Sequence, residues 1–367
     1  MRIDRLEVDA FRNFLHQSAD FDPLCNVITG ENAQGKTNLL EAIVYLSSGK
    51  SPRARTDREM IAFDAPAAAV RAQVFSRERT FQMQVELFRD RRRKMSVNCV
   101  PAKNNAALSS VYQTVFFCPE DLNLIREGAA ARRKFMDTAL CQLRPRYAAA
   151  LAEYNRTYEH KTRILRDAEE RSDLLATLPD FNERLIFYGA VLIHYRAQFA
   201  VRLNEYAAIH HFECSGERER LEVSYETVST VKEPGAEVDL LRQQLREHME
   251  THQEAERASR LCLSGPHKDD LRVRIDGRDA KAFASQGQTR TAALSMKLAE
   301  REIYKNATGE YPVLLLDDVL SELDPKRQEF VLNRISGGQV FITCCEDDRL
   351  PQLLGGKVFH VACGNIR

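Results

Sequence analysis

The sequence has no long uninterrupted apolar run, which argues against a membrane-spanning helix. Its apolar runs are only a few residues long, as in VLLL at 313–316, whereas a spanning helix needs about 20 such residues. The N-terminal MRIDRLEVDAF alternates charged and apolar residues and has no continuous apolar core of a signal peptide. We therefore expect a cytoplasmic protein without a membrane partner.

Cysteine pairs and an excess of one sign of charge are also missing. The nine cysteines include no CxxC pair, so neither a zinc site nor a disulfide framework is expected. Lys and Arg number 53, as do Asp and Glu, but a net charge of zero does not exclude nucleic acid, because opposite charges can be separated in space. Residues 71–105 carry nine Lys and Arg against three acids, which indicates a local basic surface.

Hydrophobic periodicity divides the chain into two β-rich pieces around a helical middle. Alternating residues near the N-terminus and at 70–100 predict strands, with a meander in the second stretch. Residues 119–260 are rich in Ala, Leu, Glu and Arg and predict long helices. Strands at LRVRID, VLLLD and QVFIT and a helix at 289–305 follow. The pattern predicts an α/β protein in which segments 1–115 and 263–367 enclose a mainly helical inserted domain at 116–262.

A phosphate-binding loop is predicted between a short strand and an amphipathic helix. GENAQGKT at 30–37 fits GxxxxGK[ST] in full, and the backbone N–H groups of such a loop attract phosphate oxygens. Lys36 is expected to reach the β- and γ-phosphates of ATP, and the Thr37 hydroxyl to ligate Mg²⁺. The predicted nucleotide contacts in this loop are Gly30, Glu31, Asn32, Ala33, Gln34, Gly35, Lys36 and Thr37.

Two acids follow the apolar strand of PVLLLDDVLSELD at 312–324. Asp317 at the strand end is the candidate second Mg²⁺ ligand, and Asp318 is the candidate base or water-orienting group. Two adjacent acids after a strand are also often a helix N-cap. The phosphate-binding loop in the same chain favours the metal-binding interpretation.

SQGQ at 285–288 stands directly before a long predicted helix. A serine hydroxyl, a glycine N–H and a helix N-terminus together form an anion site, although an isolated Ser285 is equally explained as a helix cap. With the loop at 30–37, the acids and SELD at 321–324, this motif resembles the ATP-binding cassette ATPases. The resemblance implies that the signature of one copy binds the γ-phosphate held by another, and assigns nucleotide contacts to Ser285, Gln286, Gly287 and Gln288. It gives Lys36, Asp317, Asp318 and Ser285 as the catalytic set.

Six longer blocks resemble one family of that class, the RecF family of bacterial recombination-mediator ATPases related to SMC proteins. They are FRNF at 11–14, GENAQGKTNLLEAI at 30–43, FFCPEDLNLIREGAAARRKFMD at 116–137, GPHKDDL at 265–271, SQGQTRTAALSMKLAE at 285–300 and LLLDDVLSELDPKRQ at 314–328. The resemblance implies an ABC/SMC-like P-loop ATPase head, with a mixed sheet and a β-meander lobe, whose N- and C-terminal parts are 1–115 and 263–367. It gives no role to His267, Lys268 and Asp269.

The resemblance also implies a function. The expected protein is an ATP-dependent homodimer with weak, DNA-stimulated ATPase activity. It is expected to bind single-stranded gaps and double-strand–single-strand junctions of DNA. It would act with the RecR and RecO proteins in bacterial recombinational repair, replication restart, recombinase loading and SOS induction, close to the nucleoid. A transporter ATPase subunit and a P-loop small-molecule kinase are the alternatives.

Two departures from the transporter pattern predict slow hydrolysis. The strand QVFIT places Thr343 near the position where transporter ATPases carry a histidine, and no histidine follows before His360. Asp318 replaces the usual catalytic glutamate and is one methylene shorter. ATP hydrolysis is therefore expected to act as a timer.

Two basic runs are the candidate DNA contacts. The first run is Arg89, Arg91, Arg92, Arg93 and Lys94, in a predicted hairpin turn, and the second is Arg132, Arg133 and Lys134, which open a predicted helix. Either run alone is typical of a solvated face. The SMC-like head favours contacts with the DNA backbone, which carry no sequence preference.

Overall fold

The computed structural model describes residues 1–345 and 356–367. Its strands are β1 (Arg2–Phe11), β2 (Phe14–Asp20), β3 (Cys25–Thr29), β4 (Ala67–Ser76), β5 (Arg79–Phe88), β6 (Lys94–Val97), β7 (Val100–Pro101), β8 (Thr114–Phe117), β9 (Leu221–Glu226), β10 (Asp270–Ile275), β11 (Arg278–Asp279), β12 (Val313–Asp317), β13 (Val340–Cys344), β14 (Lys357–Ala362) and β15 (Asn365–Ile366). Its helices are α1 (Lys36–Ser48), α2 (Ala106–Ser109), α3 (Ala129–Leu143), α4 (Pro145–Asp167), α5 (Leu178–Cys214), α6 (Val238–Thr251), α7 (Gln253–Ser259), α8 (Ala280–Phe283), α9 (Gln286–Thr308) and α10 (Pro325–Arg334). The predicted α/β class is confirmed.

The chain divides into two compact units. The first comprises Met1–Leu122 and Lys297–Arg367, and the second comprises Asn123–Met296. Strand β10, which the sequence analysis assigned to the C-terminal part of the head, groups with the second unit. The reason is that β10 pairs along its whole length with β9, and these ladder hydrogen bonds tie residues 270–275 to the helical unit. Among the described helices, none combines the length and apolar character needed to cross a membrane.

The first unit contains a mostly parallel sheet with the order β15-β14-β3-β13-β12-β8. Strands β3, β8, β12, β13 and β14 run parallel, and β15 is antiparallel to β14. Strands β12 and β13 are buried over their whole length, as the apolar run VLLL predicts for a parallel strand covered on both faces. Because β3, β13 and β12 are neighbours, their carboxyl ends lie side by side at one edge, where ligands of open α/β sheets bind.

A second sheet of the first unit is the predicted antiparallel meander. Its order is β2-β1-β4-β5-β6-β7, and β4 alternates between buried and half-buried positions over residues 70–76, as expected where one face covers a core. Leu39, Leu40 and Ile43 of α1 are fully buried in the same hydrophobic cluster as Val70 and Val85 of this sheet. Helix α1 therefore starts at the edge of the parallel sheet and is fixed by the meander.

The second unit is built around α5, a helix of 37 residues that extends about 55 Å at 1.5 Å per residue. Helices α4 and α6 and strand β9 pack against it. An ion pair between Lys161 of α4 and Glu256 of α7, 2.5 Å apart, is buried in this unit. Buried charges need a partner, so this pair fixes α7 against α4.

His267 of the GPHKDDL block is a neutral structural side chain. Its Nδ1 accepts a hydrogen bond from the Tyr154 hydroxyl at 2.7 Å, and its Nε2 donates to the Cys262 carbonyl at 2.9 Å. Gly265, at φ +127°, lets the chain approach Tyr154, because a Cβ there would collide with the tyrosine hydroxyl. Burial lowers the pKa of His267 to about 4.

Asp269 of the same block is the fully buried partner of Arg196 in α5. The two side chains are 2.8 Å apart, and Arg196 also binds Asp137 of α3 at 2.8 Å and the Pro266 carbonyl at 2.7 Å. Tyr225 of β9 donates a further hydrogen bond to Asp269. The blocks at 116–137 and 265–271 thus meet at one buried arginine, which accounts for GPHKDDL structurally.

The His267 environment predicts a stability that falls with acid. An unfolded imidazole has a pKa of about 6.5, whereas His267 has a pKa of about 4 in the folded chain. The unfolded state therefore binds more protons between these values, and the free energy of unfolding decreases as pH falls from 6.5 to 4. His267→Gln removes this proton binding. The slope of the unfolding free energy against pH is therefore smaller in the variant than in wild type, by about 1.4 kcal/mol per pH unit near pH 5.

The measurement is urea unfolding at pH 7, 6 and 5, followed by circular dichroism. The control is His160→Gln, at an exposed histidine of α4, which is expected to keep the wild-type slope. Equal slopes in wild type and His267→Gln would contradict the prediction.

Candidate functional site

The loop at 30–37 joins β3 to α1 and requires both of its glycines. Gly30 and Gly35 have φ values of +146° and +122°, a region that favours glycine. A Cβ at Gly30 would collide with the Val361 carbonyl, and one at Gly35 would lie 2.8 Å from the Asn13 side chain. The backbone of this loop is therefore packed closely against its surroundings and held in one shape.

Asn13 stabilises this loop through hydrogen bonds, and it was not predicted as a site residue. Its Nδ2 donates to the Gln34 carbonyl at 2.8 Å, and its Oδ1 accepts from Asn38 at 2.9 Å. Gln34 also accepts a hydrogen bond from the Cys363 N–H through its side chain, at 2.6 Å. The signal available in the sequence was the FRNF block, whose turn carries Asn13.

Lys36 is buried inside the loop, at the first residue of α1. Its Nζ donates to the Gly30 carbonyl and, at 3.1 Å, to the Glu31 carbonyl. The side chains of Glu31, Asn32 and Ala33 are exposed at the mouth of the loop. The predicted residues 30–37 thus form one concave turn around a cation, a suitable geometry for phosphate oxygens.

Thr37 and Asp317 are brought together from distant parts of the chain. The Thr37 hydroxyl donates to Asp317 Oδ1 at 3.0 Å, and Thr343 of β13 donates to the same oxygen at 3.0 Å. Burial raises the pKa of Asp317. A hydroxyl and a carboxylate are hard oxygen ligands, and Mg²⁺ is usually held by one or two such groups together with waters and phosphate. These residues fit Mg²⁺, whereas no cluster of three His, Cys, Asp or Glu that could hold a metal occurs among the described residues.

Asp318 has a left-handed backbone, at φ +54°, which is uncommon for a residue other than glycine. Its N–H donates to Thr343 Oγ at 2.8 Å, and Ser321 donates to its carbonyl at 2.7 Å. These bonds fix the turn after β12, and the side chain is half-buried. In SELD, Asp324 caps α10 by accepting from the N–H groups of Lys326 and Arg327.

Ser285 caps α9, as one of the two interpretations predicts. The N–H of Gln288 donates to Ser285 Oγ at 3.2 Å, and the N–H of Ser285 donates to Gln288 Oε1 at 2.8 Å, which is a reciprocal capping box. Ser285 and Gln286 are exposed, and Gly287 is half-buried. A cap whose serine oxygen accepts a hydrogen bond still has its own hydroxyl hydrogen to donate, so capping and phosphate binding are compatible. That Ser285 and Gly287 contact a second copy stays a prediction.

Arg93 was wrongly grouped with its neighbours as a DNA contact. The turn between β5 and β6 exposes Arg91, Arg92 and Lys94, but Arg93 points inward. Its guanidinium binds Tyr45 Oη at 2.6 Å, the Gly49 carbonyl at 2.8 Å, Asp57 at 3.1 Å and Asn105 at 2.7 Å. These acceptors bind both terminal nitrogens of Arg93, so the side chain joins loops of the first unit and does not project to solvent as its neighbours do.

Arg132 is likewise a structural residue, and its prediction as a DNA contact was wrong. It is 5% exposed, and its Nε and Nη2 bind the Asp270 carboxylate at 2.6 and 2.9 Å. Its Nη1 donates to the carbonyls of Leu124, Ile125 and Glu127. Arg133 is half-buried and donates to the Asp269 carbonyl at 2.7 Å.

Known proteins similar to this chain cover nearly all of it. The family model described as "RecF/RecN/SMC N terminal domain" matches residues 2–361. The DNA replication and repair protein RecF of Agathobacter rectalis is 38% identical over 100% of this chain and 99% of its own length. That of Alkaliphilus oremlandii is 36% identical over 100% of both.

Solved structures give the same result for the fold. A structure described as the recombination mediator protein RecF-ATPrS in the RecFOR pathway has a TM-score of 0.92 and 34% identity, and the match covers 100% of this chain and 97% of that one. An Smc head domain of Pyrococcus furiosus has a TM-score of 0.55 at 14% identity, with 100% and 95% covered. The second similarity concerns the fold alone.

The buried position of Arg132 predicts a stability effect. Arg132→Ala leaves the partly exposed Asp270 without its partner and three carbonyls without a donor. Because a buried acceptor left without a donor costs about 1–3 kcal/mol, the variant is expected to lose about 2 kcal/mol or more. Urea unfolding measures this loss. The control, Lys134→Ala, changes an exposed side chain of the same helix and is expected to alter stability by less than about 0.5 kcal/mol. Wild-type stability in Arg132→Ala would restore Arg132 as a candidate DNA contact.

Proposed function

Because this chain belongs to the RecF family, we propose that it is an ATP-dependent DNA-binding protein of recombinational repair and replication restart. The observation that carries the proposal is the meeting of Thr37 and Asp317, 3.0 Å apart, beside the loop that encloses Lys36. Relatives are named DNA replication and repair proteins, and a related structure is described as RecF-ATP in the RecFOR pathway. These support ATP as ligand and, through the oxygen pair, Mg²⁺ as cofactor.

The loop residues bind and orient the triphosphate. N–H groups at 30–37 and the N-terminus of α1 face the phosphate oxygens, and Lys36 exchanges its two carbonyl acceptors for oxygens of the β- and γ-phosphates. The chemistry that Mg²⁺ would supply at this site is neutralisation of the phosphate charge. Thr37 and Asp317 would hold the cation through their oxygens, and a cation beside Asp317 would favour the ionised carboxylate.

Hydrolysis is slow in this proposal, because the groups around the attacking water are poorly suited to fast chemistry. Asp318 orients the water with a short side chain. Thr343 has a single hydroxyl hydrogen, which it donates to Asp317, and its oxygen accepts from the Asp318 N–H. No donor remains on Thr343 to position a water as a histidine would. The weak ATPase activity therefore determines how long the ATP-bound state lasts.

ATP joins two copies in the proposed complex. The exposed Ser285 and Gln286 and the half-buried Gly287 at the N-terminus of α9 form the signature that binds the partner's γ-phosphate, with Gln288 holding Ser285 in place. Each charge-assisted hydrogen bond contributes roughly 1.5–3 kcal/mol, and several at two sites are comparable with the cost of association, roughly 4–15 kcal/mol. Dimerisation is therefore conditional on nucleotide. The proposed functional head keeps segments 1–115 and 263–367 around the insertion at 116–262, although β10 pairs with β9 of the second unit.

DNA lies against the basic turn of the first unit. Arg91, Arg92 and Lys94 are exposed there and bind backbone phosphates, which gives affinity without sequence preference. The preferred DNA has single-stranded gaps and junctions, the protein partners are RecR and RecO, and the outcome is recombinase loading and SOS induction near the nucleoid. Arg133 is a secondary contact.

The dimer is tested by measuring molecular mass with and without ATP. Wild type is expected to double its mass when ATP is added. Lys36→Met is expected to remain a monomer because it loses the cation that binds the phosphates. Ser285→Arg is expected to remain a monomer because the larger side chain blocks the signature. The control is Ser259→Arg, at an exposed serine of α7, which keeps the ATP-dependent dimer. A P-loop kinase has no signature and is expected to tolerate Ser285→Arg. The proposed dimer depends on the signature, and an ATP-bound dimer of the Ser285→Arg variant would therefore contradict the proposal.

DNA binding is tested by titration at several salt concentrations. Arg92→Ala with Lys94→Ala is expected to weaken binding to every DNA sequence and to make the slope of log affinity against log salt shallower by about 0.9 for each DNA phosphate that the variant no longer neutralises. Arg79→Ala, at an exposed arginine at the opposite end of β5, is the control and leaves the slope unchanged. A wild-type affinity that is independent of salt would remove DNA from the proposal.

A further inference from the structure

Phe63 is a phenylalanine in an unusual environment. It is 93% exposed, more than the other large apolar side chains that are exposed in the described part of the chain. Asp64 and Pro66, which follow it in the chain, are exposed as well, and the ring is open to solvent. Exposed apolar side chains that occur singly are normal on protein surfaces, so the case for a ligand depends on the loop that carries the ring and on the charges around it.

The loop that carries Phe63 is held rigidly. The Ala62 N–H donates to the Ala10 carbonyl at 2.8 Å, and the Ala65 N–H donates to the Ala62 carbonyl at 3.0 Å. The Arg89 guanidinium then donates to three carbonyls of the loop, those of Ala62, Phe63 and Ala65, at 2.8–3.0 Å. The ring is therefore presented to solvent from a fixed backbone.

The same arginine places Phe63 beside the basic turn. Ala67 at the start of β4 pairs with Phe88 at the end of β5, and the Arg89 N–H donates to the Pro66 carbonyl at 3.3 Å. Arg91 and Arg92 follow shortly after Arg89 in the chain. The Phe63 loop and the basic turn thus form adjacent loops at one end of the meander.

Cations predominate around this end of the meander. Arg93 joins the basic turn to the segment at 49–58 through the Gly49 carbonyl and Asp57. Over residues 49–66 and 89–94, seven cationic side chains are exposed against three acids, Glu59, Asp64 and Asp90. The cations are Lys50, Arg53, Arg55, Arg58, Arg91, Arg92 and Lys94. Among these, Arg53 lies at the phosphate-binding loop, because its guanidinium donates to Asn38 Oδ1 at 3.4 Å and favours the charged form of Asp317, so the other six are the candidates beside Phe63. A ring within a basic surface matches a ligand with both an aromatic face and negative charge.

We propose that Phe63 stacks on an unpaired base of single-stranded DNA next to a duplex, while the cations around it hold the flanking phosphates. Exposed bases and their phosphates provide that combination, and aromatic stacking of this kind is tolerant of sequence. Bases inside a duplex are stacked on each other and have no free face, so Phe63 discriminates gapped DNA from continuous duplex. This inference rests on the proposed DNA binding and assigns the recognition of the single strand to one side chain.

The test compares Phe63→Ala with wild type on two DNA molecules of equal length, one gapped and one fully duplex. The variant is expected to bind gapped DNA roughly tenfold more weakly, from the loss of one base stack, and to bind duplex with unchanged affinity. Leu15→Ala, which removes another exposed apolar side chain (79%) of the first unit, is the matched control and binds both DNA molecules as wild type does.

A second measurement uses the absence of tryptophan from the sequence. Phe63→Trp introduces a single tryptophan whose emission is expected to be quenched by gapped DNA and unchanged by duplex, whereas Leu15→Trp responds to neither. If wild type binds gapped DNA but Phe63→Ala binds it equally well and Phe63→Trp is not quenched, this inference is wrong and the proposed function stands. Binding of wild type to neither DNA overturns both. A change in Phe63→Trp emission with protein concentration alone would assign the ring to a second copy and overturn the inference.

Discussion

The carboxylate of Asp317 is the interaction on which the candidate site depends. It accepts hydrogen bonds from Thr37 in α1, the helix after β3, and from Thr343 in β13. Because Asp317 is the last residue of β12, its carboxylate connects these three parts of the sheet. A buried carboxylate needs such donors, because without them its charged form is strongly disfavoured. The parallel order of the sheet supplies the three side chains at one edge, and the phosphate-binding loop obtains its position relative to the acids from this single oxygen.

Arg196 has the corresponding role in the second unit. It is buried between Asp137 and Asp269, and a buried cation between two acids is costly to disrupt. The residues at this point come from the blocks at 116–137 and 265–271, which look like functional motifs in the sequence. Here they specify how helices and strands of one unit fit together, so a family-specific motif does not by itself identify a chemical site.

Much of the fold and part of the site could be predicted because their signals are local. The loop at 30–37, the buried strand ending in Asp317 and the capping pair at 285–288 depend on residues close in sequence. Arg93 and Arg132 were misassigned because a basic run does not reveal which side chain turns inward. Nor could the sequence show that β10 belongs with β9, since strand pairing between distant segments leaves no local pattern.

Within the basic turn, some arginines stabilise neighbouring loops and others are exposed to solvent. Arg89 and Arg93 use their donors on carbonyls and side chains of neighbouring loops, whereas Arg91, Arg92 and Lys94 remain exposed. The inward pair fixes the loops from which the outward cations and Phe63 project. Ordering a surface before binding reduces the entropy lost on association. Selectivity for a DNA structure therefore depends on where the rigid loops place the ring among the cations, since the number of charges alone would favour any DNA equally.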